Sequence, residues 1–143
     1  MTPSRLVSAV LLIASAVYFV DLFLRWSSGE GHDSFVVLGE VVGWDVSVAA
    51  ISGPVALALA LVEVAAVTAV WRSRTQRLVS FFLAAGTGVL AVSAVLNLRW
   101  GGSYDALRFG RFAAGAWIAL ALGIVLLACA ALRLAELRAS RAA

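Results

Sequence analysis

Residues 46–98 read VSVAAISGPVALALALVEVAAVTAV, then WRSRTQR, then LVSFFLAAGTGVLAVSAVLNL. Two long apolar runs, Val46 to Val70 and Leu78 to Leu98, flank a short connection from Trp71 to Arg77 that carries Arg72, Arg74 and Arg77. A membrane span needs about 20 residues, at about 1.5 Å each, to cross a hydrocarbon core of about 30 Å. Both runs reach that length, and the connection is too short to hold a folded unit. They are predicted to be helices because in lipid every backbone N–H and C=O must be satisfied within its own segment. A closed barrel would show segments of about 10 residues alternating in polarity, a pattern this chain lacks.

The same reading extends outward. Leu6 to Leu24 is apolar except for Asp21, and Phe112 to Leu132 is uninterrupted. The fold class expected is an all-α membrane protein: one antiparallel bundle of four transmembrane helices over residues 1–143, with spans at about 6–25, 46–71, 78–98 and 112–133. Ala14-Ser15-Ala16 imitates a signal-peptidase site, but the apolar run continues through Leu24, so the first span reads as an anchor.

Composition agrees. Of 143 residues 63% are hydrophobic, and the mean hydropathy is +1.01. Soluble domains lie nearer about 45–50% apolar. The single cysteine, Cys129, excludes an intrachain disulfide and a CxxC redox pair. The single histidine, His32, stands in a polar loop and reads as solvated. No cofactor is expected. All 11 basic residues are arginine. They are divided between the two membrane faces rather than gathered on one soluble surface, so nucleic acid is not expected as a partner.

Their distribution orients the chain. Arg5, Arg72, Arg74, Arg77, Arg133, Arg138 and Arg141 fall on one side; Arg25, Arg99, Arg108 and Arg111 fall on the other, with Asp21, Glu30, Asp33, Glu40, Asp45 and Asp105. The positive-inside rule places both termini in the cytoplasm. Trp26, Trp44, Trp100, Tyr104 and Trp117 then gather at the outer boundary, and Trp71 marks the inner one. In the first outer loop, β-rich runs on either side of Gly39-Glu40 fit a small hairpin, or equally a segment lying on the interface.

Glu63 is the most informative polar residue. It lies about 12 Å from the inner end of its helix, where an ionisable group costs about 2.5–3.5 kcal/mol to insert. It is expected to face the other helices, with Ser15 and Thr87 as neighbours at its depth. No arginine stands at that depth in another span, so a buried salt bridge is not expected unless Arg72 or Arg77 reaches inward. The candidate intramembrane site is therefore Glu63, Ser15 and Thr87, either a proton or cation site or polar glue between helices. A second candidate is an outer polar cap of Asp21, Arg25, Asp45, Asn97, Arg99, Arg108 and Arg111. Here Asp21 and Arg25, four apart on one helix face, are placed to pair. The cap reads as a shallow anion site or as an interfacial ion-pair network. No metal site is expected. After Leu132, Arg133-Leu134-Ala135-Glu136-Leu137-Arg138 reads as an ordinary charged helix exit that anionic lipid could hold. Pro54 is read in the first turns of its span, where a missing hydrogen bond costs little.

Small residues recur every four positions: Gly115, Ala119 and Gly123 on the fourth span, Ala84 and Gly88 on the third. Such stripes serve tight packing within the bundle or docking to a partner or second copy. Leu24-Arg25-Trp26 and Leu98-Arg99-Trp100 also echo each other, through a duplicated hairpin or through the shared preference of arginine and tryptophan for the interface.

Leu24-Arg25-Trp26, the β-rich loop, Gly43-Trp44-Asp45, then Pro54 and an Ala/Leu-rich span resemble the small four-span membrane proteins of unknown function abundant in actinobacteria. The resemblance covers most of the chain. It implies a multi-pass protein of the bacterial inner (cell) membrane and brings no activity with it. The loop is also similar to that of claudins, but it is shorter and lacks their two cysteines. DoxX-like and vitamin K epoxide reductase-like four-helix proteins are similar in outline, and the latter require a CxxC that is missing here. The expectation is a non-enzymatic accessory or interaction subunit of a larger membrane complex. It would contact membrane lipids and a protein partner, or its own copies, through the small-residue faces. The alternative is a small oligomeric transporter or channel with Glu63 on a proton or cation pathway.

Overall fold

The computed structural model describes residues 2–28, 41–42, 47–68, 73–100, 111–112 and 114–142. Its four helices are α1 (Pro3–Asp21), α2 (Ser47–Thr68), α3 (Arg74–Trp100) and α4 (Ala114–Ala142). All four are long and apolar enough to cross a membrane.

Local chemistry sets the helix ends. Thr2 takes an extended backbone and its hydroxyl accepts from the Arg5 N–H, while Pro3 begins α1, where its missing N–H removes a donor that has no partner anyway. Ser73 does the same for α3, accepting from the Gln76 N–H at 3.2 Å. Pro54 lies well inside α2 rather than in its opening turn, and α2 continues past it as one helix.

α1 stops at Asp21, earlier than its hydropathy suggests. Leu22, Phe23 and Leu24 turn, with Leu24 N–H donating to Asp21 C=O at 3.0 Å, and Arg25 opens strand β1 (Arg25–Ser28). Asp21 and Arg25 therefore do not share a helix face. β1 pairs antiparallel with β2 (Val41–Val42) on one side and with β3 (Arg111–Phe112) on the other. The first arm of the hairpin expected about Gly39-Glu40 lies outside the described residues. At the other end of the chain, α4 starts after Phe112 and runs as a single helix well beyond Leu132.

The helices pack in a closed cycle, α1 on α2, α2 on α3, α3 on α4 and α4 back on α1. The beginnings of α1 and α3, the end of α2 and the later part of α4 gather at one end. The interior is built from small residues and a few larger ones: Ala49, Ala56, Ala91, Ala94, Ala116 and Ala119 around Tyr18 and Leu22, then Leu11, Leu59, Ala84, Leu126 and Ala130 nearer the gathered end. The small-residue stripes meet inside. A Cβ on Gly88 would lie 3.0 Å from Gly123 O, and a Cβ on Gly123 would lie 3.3 Å from Gly88 O. Only glycine at these positions allows α3 and α4 so close.

The outward faces are the reverse of a soluble protein's. Ile13, Phe23, Ile51, Leu61, Phe82, Val89, Trp117 and Ile124 are all exposed, while Ser8, Ser15, Ser52, Glu63, Ser80, Thr87 and Arg133 are buried. Such faces are stable only against an apolar solvent, and the pattern is that of a multi-pass membrane protein.

Candidate functional site

The polar centre lies at the gathered end. Glu63, near the end of α2, is fully buried. Its Oε1 accepts a hydrogen bond from the Ser80 hydroxyl of α3. Its Oε2 accepts from Arg133 Nη2 of α4 at 3.4 Å, forming an ion pair between side chains 0% and 1% exposed. A buried salt bridge, not expected unless Arg72 or Arg77 reached inward, is thus present, and the arginine that forms it is Arg133. Arg133 is not part of a charged helix exit. It turns inward because α4 carries the helical phase past the apolar run, and its long stem reaches back along the interior.

Arg133 draws in the remaining helix. Nη2 also donates to Ser8 of α1, and Nη1 donates to Ser4 at 2.9 Å and to Glu136 at 2.8 Å. Both Nη nitrogens therefore have an acceptor for each of their hydrogens. All four helices are tied at this level: α1 through Ser4 and Ser8, α2 through Glu63, α3 through Ser80, α4 through Arg133 and Glu136. The Arg133 Nε–H is buried without an acceptor among the described residues.

Beside this knot runs a crevice lined by Glu63 and Ala66 of α2, Gln76, Arg77 and Ser80 of α3, and Arg133 of α4. Gln76 Nε2 donates to Val62 C=O of α2 at 3.4 Å. Arg77 is half-buried. Its side chain makes no hydrogen bond or ion pair among the described residues, and its Nε–H is shielded from solvent.

The other intramembrane candidates are buried but act elsewhere. Ser15 donates to Leu11 C=O at 2.7 Å, inside its own helix. Thr87 Oγ1 is buried with no hydrogen-bond partner among the described residues. Glu63 bonds instead to Ser80 and Arg133, so the structure replaces Ser15 and Thr87 as its partners. Glu63, Ser15 and Thr87 lie on three different helices, and depth counted along each span separately is a poor guide to lateral neighbours.

A second buried contact lies toward the opposite end. Tyr18 and Ser52 hydroxyls are 2.6 Å apart, and Ser52 Oγ donates to Ala49 C=O at 2.7 Å. A serine has one hydroxyl hydrogen. It is committed to Ala49, so Tyr18 is the donor to Ser52. Of the outer cap, Asp21 is buried at the end of α1. Arg25 and Arg111 fall on the paired strands β1 and β3, and Asn97 and Arg99 on the last turn of α3. The side chains of those four, and Asp45 and Arg108 altogether, lie outside the described residues. Among the described residues no three His, Cys, Asp or Glu side chains gather as metal ligands would.

Two signals could have located the missed residues. The Gly115, Ala119, Gly123 stripe, continued at helical spacing, runs through Leu126, Ala130, Arg133 and Leu137, all buried. The Ala84, Gly88 stripe continued backward reaches Ser80, which is also buried.

No family model, curated protein or solved structure matches this chain.

Proposed function

We propose that this protein is a non-enzymatic accessory subunit of a larger membrane assembly. It would be an antiparallel, up-down-up-down four-helix bundle in a bacterial cell membrane, with both termini cytoplasmic. The observation that supports this most is how the buried charges are used. Glu63 and Arg133 neutralise each other, Ser80 of α3 donates to Glu63, and Ser4 and Ser8 of α1 accept from the Arg133 Nη groups. Groups so committed hold helices together. What the chain offers other molecules is its outward surface, with exposed Ile, Leu, Val, Phe and Trp side chains distributed over the helices. In a subunit, part of that surface would face a partner protein and the rest lipid.

The test is extraction of the tagged full chain in a mild detergent, followed by size-exclusion chromatography and mass spectrometry. A partner recovered in fixed stoichiometry is the expected result. A monodisperse particle containing this chain alone would overturn the proposal.

One observation favours a transporter as the second reading: Glu63 lines a crevice whose wall includes the half-buried Gln76 and Arg77. In that reading Glu63→Gln abolishes a proton- or cation-dependent flux in proteoliposomes without lowering expression. No flux from the unmodified protein, or equal flux from the variant, would remove it.

A further inference from the structure

We propose that Arg77, at the edge of the crevice between α2 and α3, binds a phosphate group on its outward side, and that the phosphate is that of an anionic lipid headgroup. The inference rests on the membrane-spanning reading of the four helices and not on the accessory role.

Two guanidinium groups line this crevice, Arg77 and Arg133, against one carboxylate, Glu63. In both arginines the Nε–H is shielded from solvent and lacks an acceptor among the described residues. A buried donor left without a partner costs about 1–3 kcal/mol, more when charged, so native structures rarely leave one unmatched. The carboxylates described nearby are already engaged. Each Glu63 oxygen already accepts one hydrogen bond, Oε1 from Ser80 and Oε2 from Arg133. Glu136 is engaged from outside the crevice by Arg133 and Ser4. Arg133 is thus balanced by two carboxylates, whereas Arg77 has no counter-ion among the described residues.

An anion fits this position better than a neutral group. The planar guanidinium presents its donors as a fork that matches two oxygens of a phosphate, and the Gln76 amide beside it has one N–H left after its bond to Val62 C=O. Glu63 disfavours an anion deep in the crevice, so the phosphate seats on the Arg77 side, toward the end of the helices. That end is where headgroups lie, because Arg5, Arg74, Arg138 and Arg141 are exposed there. The crevice is too narrow for a water molecule in this conformation. The Arg77 side chain, with its several rotatable bonds, therefore has to swing outward to take the headgroup.

The full chain in phosphatidylcholine nanodiscs doped with phosphatidylglycerol tests this, with native mass spectrometry reading which lipid stays bound after release. The expected result is retained phosphatidylglycerol in preference to phosphatidylcholine, falling about tenfold in Arg77→Gln, as for loss of one charge-assisted hydrogen bond. Arg74→Gln, which removes an exposed charge one turn away, should leave it within about twofold if surface charge alone contributes little. Should Arg77→Gln fail to fold, Arg77→Lys, which keeps the charge and loses the fork, should still weaken retention.

Equal retention of both lipids, or equal losses in Arg74→Gln and Arg77→Gln, would overturn the proposal. Displacement of the lipid by millimolar inorganic phosphate would assign the site to free phosphate and overturn the lipid assignment. A stoichiometric partner without lipid preference would sink this inference alone; lipid preference without a partner would sink only the accessory role.

Discussion

Glu63 of α2 and Arg133 of α4 stand 70 positions apart in the chain and form a buried ion pair at 3.4 Å. A buried pair is not by itself a strong stabiliser, because desolvating two ions offsets much of their attraction. Its effect lies in what happens when one partner is lost. The remaining charge is then stranded among apolar side chains. With Ser4, Ser8, Ser80 and Glu136 completing the set, the pair also favours one relative rotation of the four helices over others.

Removing one charge should therefore cost more than removing both. Arg133→Gln is expected to lower stability by about 3–5 kcal/mol, while Glu63→Leu combined with Arg133→Met should lie near the unmodified protein. Unfolding titrations in mixed detergent micelles measure both. A single variant as stable as the unmodified protein would show that the pair is not buried.

Two glycines on α3 should behave oppositely. A Cβ on Gly88 would meet Leu127 Cγ at 2.8 Å and the backbone oxygen of Gly123 at 3.0 Å, whereas a Cβ on Gly86 would meet nothing within 4 Å. Gly88→Ala should cost about 1–3 kcal/mol through overpacking. Gly86→Ala should be neutral or slightly stabilising. Equal responses, measured by thermal unfolding in detergent, would contradict the close α3–α4 approach.

The Tyr18–Ser52 bond is directional, and its two ends should not be equivalent. Tyr18→Phe removes the donor but leaves Ser52 bonded to Ala49, and should cost about 0.6 kcal/mol, the average for hydrogen bonds between membrane helices. Ser52→Ala strands the buried phenol hydroxyl and should cost more, about 1–3 kcal/mol. Comparing the two variants in the same unfolding assay tests the assigned direction; a larger loss from Tyr18→Phe would reverse it.

The proposed orientation has its own measurement. A cysteine at Ser28 should react with a membrane-impermeant maleimide on intact cells, and one at Ser73 should react only after permeabilisation. The native Cys129 is buried, at 6% exposure, and contributes little background. The opposite labelling pattern would place the termini outside.

Much of this fold is legible in the chain itself. Four apolar runs of spanning length, separated by polar connections, correspond to four helices, because transfer into lipid depends on the average polarity of a continuous segment. The polar character of position 63 is equally plain. Helix ends are less so. α1 stops at Asp21 although the apolar run continues to Leu24, since Leu22 to Leu24 turn into a strand whose pairing residues, Val41–Val42 and Arg111–Phe112, lie elsewhere in the chain.

The sequence alone determined which segments suit a membrane and that Glu63 needed polar company there. The tertiary structure decided what that company is. Hydropathy is a quantity along one chain, and it assigned Arg133 to the helix exit because Leu132 ended the apolar run. Whether that arginine turns outward to headgroups or inward to Glu63 depends on the rotation and axial stagger of α4 against its neighbours. Those are set by contacts such as Gly88 on Gly123, where two backbones approach because neither residue carries a Cβ. Once α4 is seated there, Arg133 falls on the buried stripe, and Glu63, Ser8 and Ser4 are the groups within its reach.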